Sequence, residues 1–317
     1  MHMSDYTAKI KEISERLLKE EKVEIIIGFR KGTVPMMNEP CFVKTPEGVK
    51  ELVWDSNCGI NLANYLTGRK EKIGIIAKGC DSRNIVTHII ENKIKREQLF
   101  IIGVPCKGMV DKNKITFMFE NEIKEVSEDE ENIIVKGEDF EKTLYKNDVL
   151  QENCKICLHR NPVIYDELAA DLSDEQKNVD RYEDVRKIEA MPPEDKWNYF
   201  DDILSDCIRC YACRNACPLC YCPTCFVDES RPQWVGKSID PVDTRTFHLL
   251  RAYHCAGRCT DCGACERACP MGIKVRTFTK KLEKDCLEFY GWEAGLSLDE
   301  RPPLDTYRPD DPEDFIK

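Results

Sequence analysis

Two architectures are predicted in tandem: an N-terminal α/β domain on a mainly parallel sheet, and a C-terminal α+β domain organised around cysteine. Three observations carry this. Three short apolar runs closed by turn residues alternate with helix signals in the first third of the chain, as strands and helices do in a layered α/β fold. Twelve of the nineteen cysteines fall within the 63 residues from Cys207 to Cys269. Two runs inside that stretch share one spacing, Cys207-x2-Cys210-x2-Cys213-x3-Cys217-Pro218 and Cys259-x2-Cys262-x2-Cys265-x3-Cys269-Pro270.

From the N-terminus, Met1 to Glu20 is rich in Lys and Glu and reads as an amphipathic helix, not a secretory signal. Val23 to Gly28, Ile73 to Gly79 and Leu99 to Pro105 are β-branched runs of the kind that form buried parallel strands. Asn61 to Leu66 and Asp81 to Asn92 read as helices, the second with Asp81 or Ser82 as N-cap. Lys114 to Tyr145 reads as less regular strands and charged turns, and Gly28 to Gly32 as a turn after the first strand. From Asp166 to Asp206 the composition turns acidic, with Pro192-Pro193 as a helix breaker. The expected organisation is residues 1–165 as the α/β domain, 166–206 as an acidic helical linker, 207–290 as the cysteine domain, and 291–317 as an extended Pro-rich acidic tail.

Composition excludes several classes. With 42% hydrophobic and 33% charged residues the chain reads as globular. No run approaches the ~20 apolar residues of a membrane helix. A net charge of −11 argues against nucleic acid as the partner. The expectation is a cytoplasmic protein without membrane insertion, and there a dense set of cysteines two or three residues apart suits metal better than disulfides.

The repeated run has the spacing of bacterial two-cluster ferredoxins, in which the fourth cysteine of each run ligates the other cluster. Two 4Fe-4S clusters follow: one on Cys207, Cys210, Cys213 and Cys269, the other on Cys259, Cys262, Cys265 and Cys217. Structural zinc uses C-x2-C pairs, not triplets with a fourth cysteine before proline, twice over. Ile208, Tyr211, Ala212, Ala264 and Ile273 are expected to shield the clusters. Gly263 is expected to let backbone approach sulfur, and Arg209, Arg214, Arg258 and Arg267 to offset negative charge.

Lys78-Gly79-Cys80-Asp81-Ser82-Arg83, the Gly103-Val104-Pro105-Cys106-Lys107-Gly108 turn and the Cys154-x2-Cys157 pair resemble the coenzyme F-420 hydrogenase/dehydrogenase beta-subunit family. Cys207 to Cys222 is similar to its formate-dehydrogenase beta-subunit branch. The likeness runs from about residue 20 to 290. It implies an α/β domain with a ferredoxin module, and electron transfer between a hydrogenase or formate dehydrogenase and a flavin or deazaflavin, in assemblies like heterodisulfide reductase. Partners would be such subunits, a flavoprotein, or soluble ferredoxin. FAD is implied by the resemblance, but flavin-binding members carry a Gly-Gly segment followed by a helix. Here Gly28-Phe29-Arg30-Lys31-Gly32 matches it poorly, and no GxGxxG fingerprint is present.

A third 4Fe-4S cluster is expected on Cys80, Cys106, Cys154 and Cys157. Cys80 and Cys106 end predicted parallel strands, the edge where open α/β sheets place ligands, and the Cys154–Cys157 pair can fold over them. The resemblance implies a cluster at such positions. Cys58, after another predicted strand, is the substitute. Cys220, Cys222 and Cys225 are too close together for chance packing and suit a cluster or zinc, whereas Cys41, Cys255 and Cys286 are isolated. His88, His159, His248 and His254 read as structural. The function expected is an electron-transfer subunit with no catalytic residues of its own; the alternative is a flavin-dependent oxidoreductase acting on a deazaflavin or NAD(P)H.

Overall fold

The computed structural model describes residues 3–306 and divides the chain into two compact units, Met1–Val179 and Asp180–Lys317. The expected acidic tail from Asp310 lies outside the described residues.

Helix α1 (Met3–Lys19) sets Tyr6, Ile10, Ile13 and Leu17 on one face, and all four are buried in the core of the first unit. Each large apolar side chain taken from water there contributes about 1.5–3 kcal/mol. The main sheet has the order β2-β1-β3-β4-β8, with β1 Ile25–Lys31, β2 Asn38–Val43, β3 Ile73–Ala77, β4 Leu99–Gly103 and β8 Glu167–Leu168. β1–β3, β3–β4 and β4–β8 pair in parallel, and β1–β2 pairs antiparallel. The sheet is therefore mixed, and β3 is buried along its whole length, as a central strand covered on both faces must be.

Helix α2 (Gly79–Ile90) follows β3 directly. Its N-cap is Lys78, not Asp81 or Ser82. Asp81 lies one turn in and its carboxylate accepts from the Lys78 backbone N–H at 3.1 Å and from Lys78 Nζ at 2.8 Å. The segment at Asn61 is a short 3-10 turn, Leu62–Tyr65, capped by Asn61. Gly28 lies inside β1, not in a turn: a Cβ there would come within 2.6 Å of Ile76 and 2.7 Å of Leu52.

A short helix α3 (Lys112–Thr116) leads into an antiparallel sheet of β5 (Glu125–Glu128), β6 (Asn132–Lys136) and β7 (Glu141–Tyr145). Ile115, Ile133, Val135, Leu144 and Val149 form its small core. The turn α4 (Glu152–Lys155) and β8 complete the unit. The acidic segment expected to be a linker from residue 166 thus begins inside the first unit. Its Asp166 carboxylate accepts from the Ile101 N–H at 2.7 Å, and Arg96 pairs with it at the same distance.

The second unit holds α5 (Glu183–Glu189), α6 (Pro193–Leu204), α7 (Ala212–Asn215), α8 (Pro241–His254), α9 (Ala264–Arg267) and α10 (Arg276–Tyr290). Pro193 opens α6 where its missing N–H costs nothing, and Asp240 caps α8 by accepting from the Val242 N–H at 2.8 Å. Leu204, Val227, Val235, Phe247, Ile273 and Val275 form the core. The expected α+β character is corrected here, because no strand occurs among the described residues of this unit. Its cysteine loops enter the left-handed region repeatedly, which curls the backbone instead of extending it. The start of the expected extended tail is packed: Trp292 is buried and its indole N–H donates to the Gly257 carbonyl at 2.6 Å.

Candidate metal centres

The two cysteine runs adopt the same loop. Two residues after the first cysteine φ is positive at Arg209 (49°) and Asp261 (55°), and four residues after it at Tyr211 (59°) and Gly263 (70°). Left-handed residues alternating with right-handed ones turn successive backbone N–H groups to one side, and such nests hold anions. A helical turn follows each loop, α7 and α9, and the two pack against each other. Held this way, Cys207 has Cys269 and Cys210 as electrostatic neighbours, and Cys213 has Cys265 of the other run as well as Cys207 and Cys269. In the other set Cys262 neighbours Cys217 and Cys265, Cys265 neighbours Cys217, and Cys259 neighbours Cys262. Cys269 thus lies near the first loop and Cys217 near the second.

Side chains fix both loops. Arg209 is buried, donating from Nη1 to the Gly236 carbonyl at 2.7 Å and from Nη2 to the Tyr211 hydroxyl at 2.9 Å. Tyr211 packs edge-on against Phe247 with ring centres 5.1 Å apart. In the second loop Asp261 takes Arg276 Nη1 at 2.8 Å and Lys280 Nζ at 2.7 Å, while Arg276 also holds Glu266. Burial pushes the thiols up, Cys213 to about 11 and Cys262 to about 12, so loading metal onto them must release protons. The anion-binding nests, the grouped cysteines and the buried cations fit 4Fe-4S clusters.

Two participants were not found from sequence. Arg251 of α8 is 4% exposed; Nη2 donates to the Cys213 carbonyl at 3.1 Å, and Nε has no hydrogen-bond partner. Its electrostatic neighbours are Cys265, Cys217, Cys255 and Cys213, drawn from both quartets. His248, three residues earlier, places Nε2 3.3 Å from Cys207 Sγ. Burial pulls its imidazole down to about 4, so it is neutral near pH 7. Of the four arginines expected to offset cluster charge, Arg214 pairs with Asp228 at 2.8 Å and Arg258 bonds the Tyr221 hydroxyl.

Cys255, read as isolated, lies beside Cys217 and Cys220, the three sulfurs all within 4.8 Å of one another. Hydrogen bonds from Cys217 and Cys255 draw the Cys220 thiol down and push the other two up. Cys225 has Cys220 and Arg214 as electrostatic neighbours, and Cys222 is exposed.

In the first unit Cys106, just past β4, has Cys154 and Cys157 as electrostatic neighbours, and burial drives its thiol up to about 12. Lys78, itself buried, neighbours both Cys80 and Cys106. The Gly108 N–H points at Cys106 Sγ and the Met109 N–H at Cys154 Sγ, each at 3.4 Å. The loop carrying Cys154 and Cys157 is clamped by Gln176, whose amide donates to the carbonyls of Cys157 at 2.9 Å and Lys155 at 3.2 Å. The Cys106 N–H donates to the Arg160 carbonyl at 2.9 Å, and the Val163 N–H to Ser82 Oγ at the same distance. Cys58 is fully buried in the apolar core, with Lys78 as an electrostatic neighbour and its sulfur taking Asn38 Nδ2 at 3.3 Å and the Asp55 N–H at 3.4 Å. No strand precedes it directly, since Pro46–Glu51 is a 3-10 turn.

Residues 203–273 match a family described as a 4Fe-4S dicluster domain. Over 116 residues the chain is 32% identical to the F420-dependent formate dehydrogenase subunit beta of Methanocaldococcus jannaschii, covering 37% of this chain and 29% of the relative. Over 115 residues it is 28% identical to the F420-dependent formate dehydrogenase 1 subunit beta of Methanococcus maripaludis, covering 36% and 28%. The chain spans less than a third of either relative. A chain of the F420-reducing NiFe hydrogenase complex from Methanosarcina barkeri superposes with a TM-score of 0.38 at 14% identity, covering 47% of this chain and 58% of that one. Among the described residues no helix is long and apolar enough to cross a membrane.

Proposed function

We propose that this chain is an iron–sulfur electron-transfer subunit of an anaerobic multi-subunit oxidoreductase, of the formate dehydrogenase, hydrogenase or heterodisulfide-reductase-like kind. The observation that carries this reading is the pair of like-folded loops, with Cys269 near the first and Cys217 near the second. The relatives' description as formate dehydrogenase subunits supports it. Cys207, Cys210, Cys213 and Cys269 would hold one 4Fe-4S cluster, and Cys217, Cys259, Cys262 and Cys265 the other. Cys80, Cys106, Cys154 and Cys157 would hold a third in the first unit. When bound, each cluster supplies transfer of one electron at a time.

The chain's own residues set the conditions for that transfer. Leu204, Phe247 and Ile273 keep water from the first quartet. Neutral His248 orients Cys207, and the Asp261–Arg276–Lys280 set holds the second loop rigid. Arg251 places one positive charge beside cysteines of both quartets, which favours the reduced, more negative state. In the first unit Lys78 does the same between Cys80 and Cys106. Partners would be redox subunits in the cytoplasm: a flavoprotein, a hydrogenase or formate dehydrogenase, or soluble ferredoxin.

The test is donor preference. The anaerobically loaded chain, mixed alone with NADH, NADPH or reduced deazaflavin, is expected not to be reduced at a useful rate, yet to accept electrons from a low-potential one-electron donor. Fast reduction by a hydride donor without a partner would overturn the reading in favour of a flavin-dependent enzyme.

A further inference from the structure

We propose that Cys217, Cys220 and Cys255 form a thiolate site for one soft divalent cation, zinc by its donor set, with Cys217 as the sulfur shared with the second 4Fe-4S cluster. The sharing rests on the cluster reading above; the site itself does not.

The spacing is the first argument. All three sulfurs lie within 4.8 Å of one another. A tetrahedral zinc with Zn–S of about 2.3 Å holds its sulfurs about 3.8 Å apart, so small side-chain adjustments close the trio around one ion. A cubane gives each cysteine its own iron corner and spreads them more widely. Chain geometry is the second argument. Cys217 and Cys220 form a C-x2-C turn, the Cys220 N–H donating to the Cys217 carbonyl at 3.1 Å, the local form of a zinc knuckle. Cys255 is the third donor and is fixed at the end of α8, its N–H on the Ala252 carbonyl and its own carbonyl taking the Cys259 N–H, both at 2.9 Å.

Charge is the third argument. Cys217 and Cys255 have Arg251 as an electrostatic neighbour, and Cys220 does too. That guanidinium is buried with an unpartnered Nε, and a buried donor left open is costly. Three thiolates around a divalent ion sum to one negative charge, which one arginine opposes. Without a cation the three could not all ionise in so small a space. Cys225, the remaining nearby thiol, neighbours Cys220 and Arg214 and lies outside the trio.

Zinc carries no electrons, so its role is to cross-link and to bias. It ties the turn after the first cysteine run to the segment that enters the second. It also puts positive charge on the Cys217 sulfur, which makes the second cluster easier to reduce.

The test uses the full chain, loaded anaerobically with iron and sulfide, incubated with zinc chloride and desalted. Metal analysis and zinc-edge X-ray absorption are then read on wild type, Cys220→Ser and Cys255→Ser, with Cys255→Ala as a second variant at the buried position. The expected result is about one zinc per chain with sulfur at about 2.3 Å. Either serine variant loses at least tenfold in zinc affinity while iron content stays the same. Wild-type chain that carries no zinc, or variants that retain it unchanged, overturn the site. So does a loss of about four irons in the Cys255 variants, which makes Cys255 a cubane ligand, or a Cys220–Cys255 disulfide in the anaerobic chain. Zinc bound on sulfur in a chain that takes up no iron leaves the site standing and removes the cluster reading instead.

Discussion

Replacing Gly79 with alanine should disturb the candidate third cluster through packing alone. A Cβ at residue 79 would lie 2.1 Å from the His159 carbonyl oxygen and 3.0 Å from that of Asn161. That is about 0.9 Å closer than the 3.0 Å below which real Cβ contacts essentially do not occur. Because the obstacle is backbone, the segment from His159 to Asn161 must move. Overpacking of this kind costs about 1–3 kcal/mol, and the helix-propensity gain of alanine returns at most about 1 kcal/mol. A net loss of about 1–2 kcal/mol lowers the melting transition of the first unit by about 2–8 °C. The displaced segment begins two residues after Cys157, so iron held by the first unit should leave faster to a chelator. Circular dichroism melts and chelator-release kinetics on the anaerobically loaded chain read both effects. Gly68, with nothing within 4 Å of its would-be Cβ, is the comparison: Gly68→Ala strains its own turn but leaves iron release unchanged. If Gly79→Ala melts and releases iron like wild type, the close approach of α2 to the Cys157 loop does not exist.

Three further outcomes are expected. Cys213→Ala and Cys269→Ala should remove the same component of the reduced paramagnetic resonance spectrum and Cys217→Ala another; loss of a single component by Cys213→Ala and Cys217→Ala would break the crossed assignment. Arg251→Gln removes one buried positive charge beside cysteines of both quartets; a unit charge at roughly 8 Å is worth about 2 kcal/mol at an effective dielectric near 20, or about 90 mV per electron. Both second-unit clusters should therefore titrate at more negative potential, and a change confined to one would show that Arg251 serves only that one. Alkylation of the loaded chain should label exposed Cys222 first and leave Cys58 and Cys41 unmodified, since burial drives the Cys41 thiol up to about 11 and the thiolate is the reactive form.

The layered fold was legible because Ile25–Ile27, Ile73–Ile76 and Leu99–Ile102 are short runs without a polar side chain, rich in isoleucine, as strands of a doubly covered sheet are. β8 was not, because two residues carry no periodicity; its place follows from Asp166 bonding the Ile101 N–H, a contact invisible before folding. The first unit runs to Val179, inside the acidic segment, so Gln176, which clamps the Cys154–Cys157 loop, belongs to the α/β unit. The crossed assignment of the two cysteine runs rests on spacing alone. Arg251 and Cys255 were hidden because each looks ordinary on α8. Only the fold brings Arg251 beside both quartets and Cys255 beside Cys220. Gly28 misled as a turn because glycine more often marks turns than tight strand packing.

The most direct measurement is a reductive titration of the full chain after anaerobic loading, with iron and sulfide counted on the same sample. One electron per cubane is expected, so about three electrons with about twelve irons and twelve sulfides per chain, of which two electrons and eight irons belong to the second unit. A folded chain that accepts fewer than two electrons, or that holds zinc in place of iron at Cys207 to Cys269, contradicts the electron-carrier function.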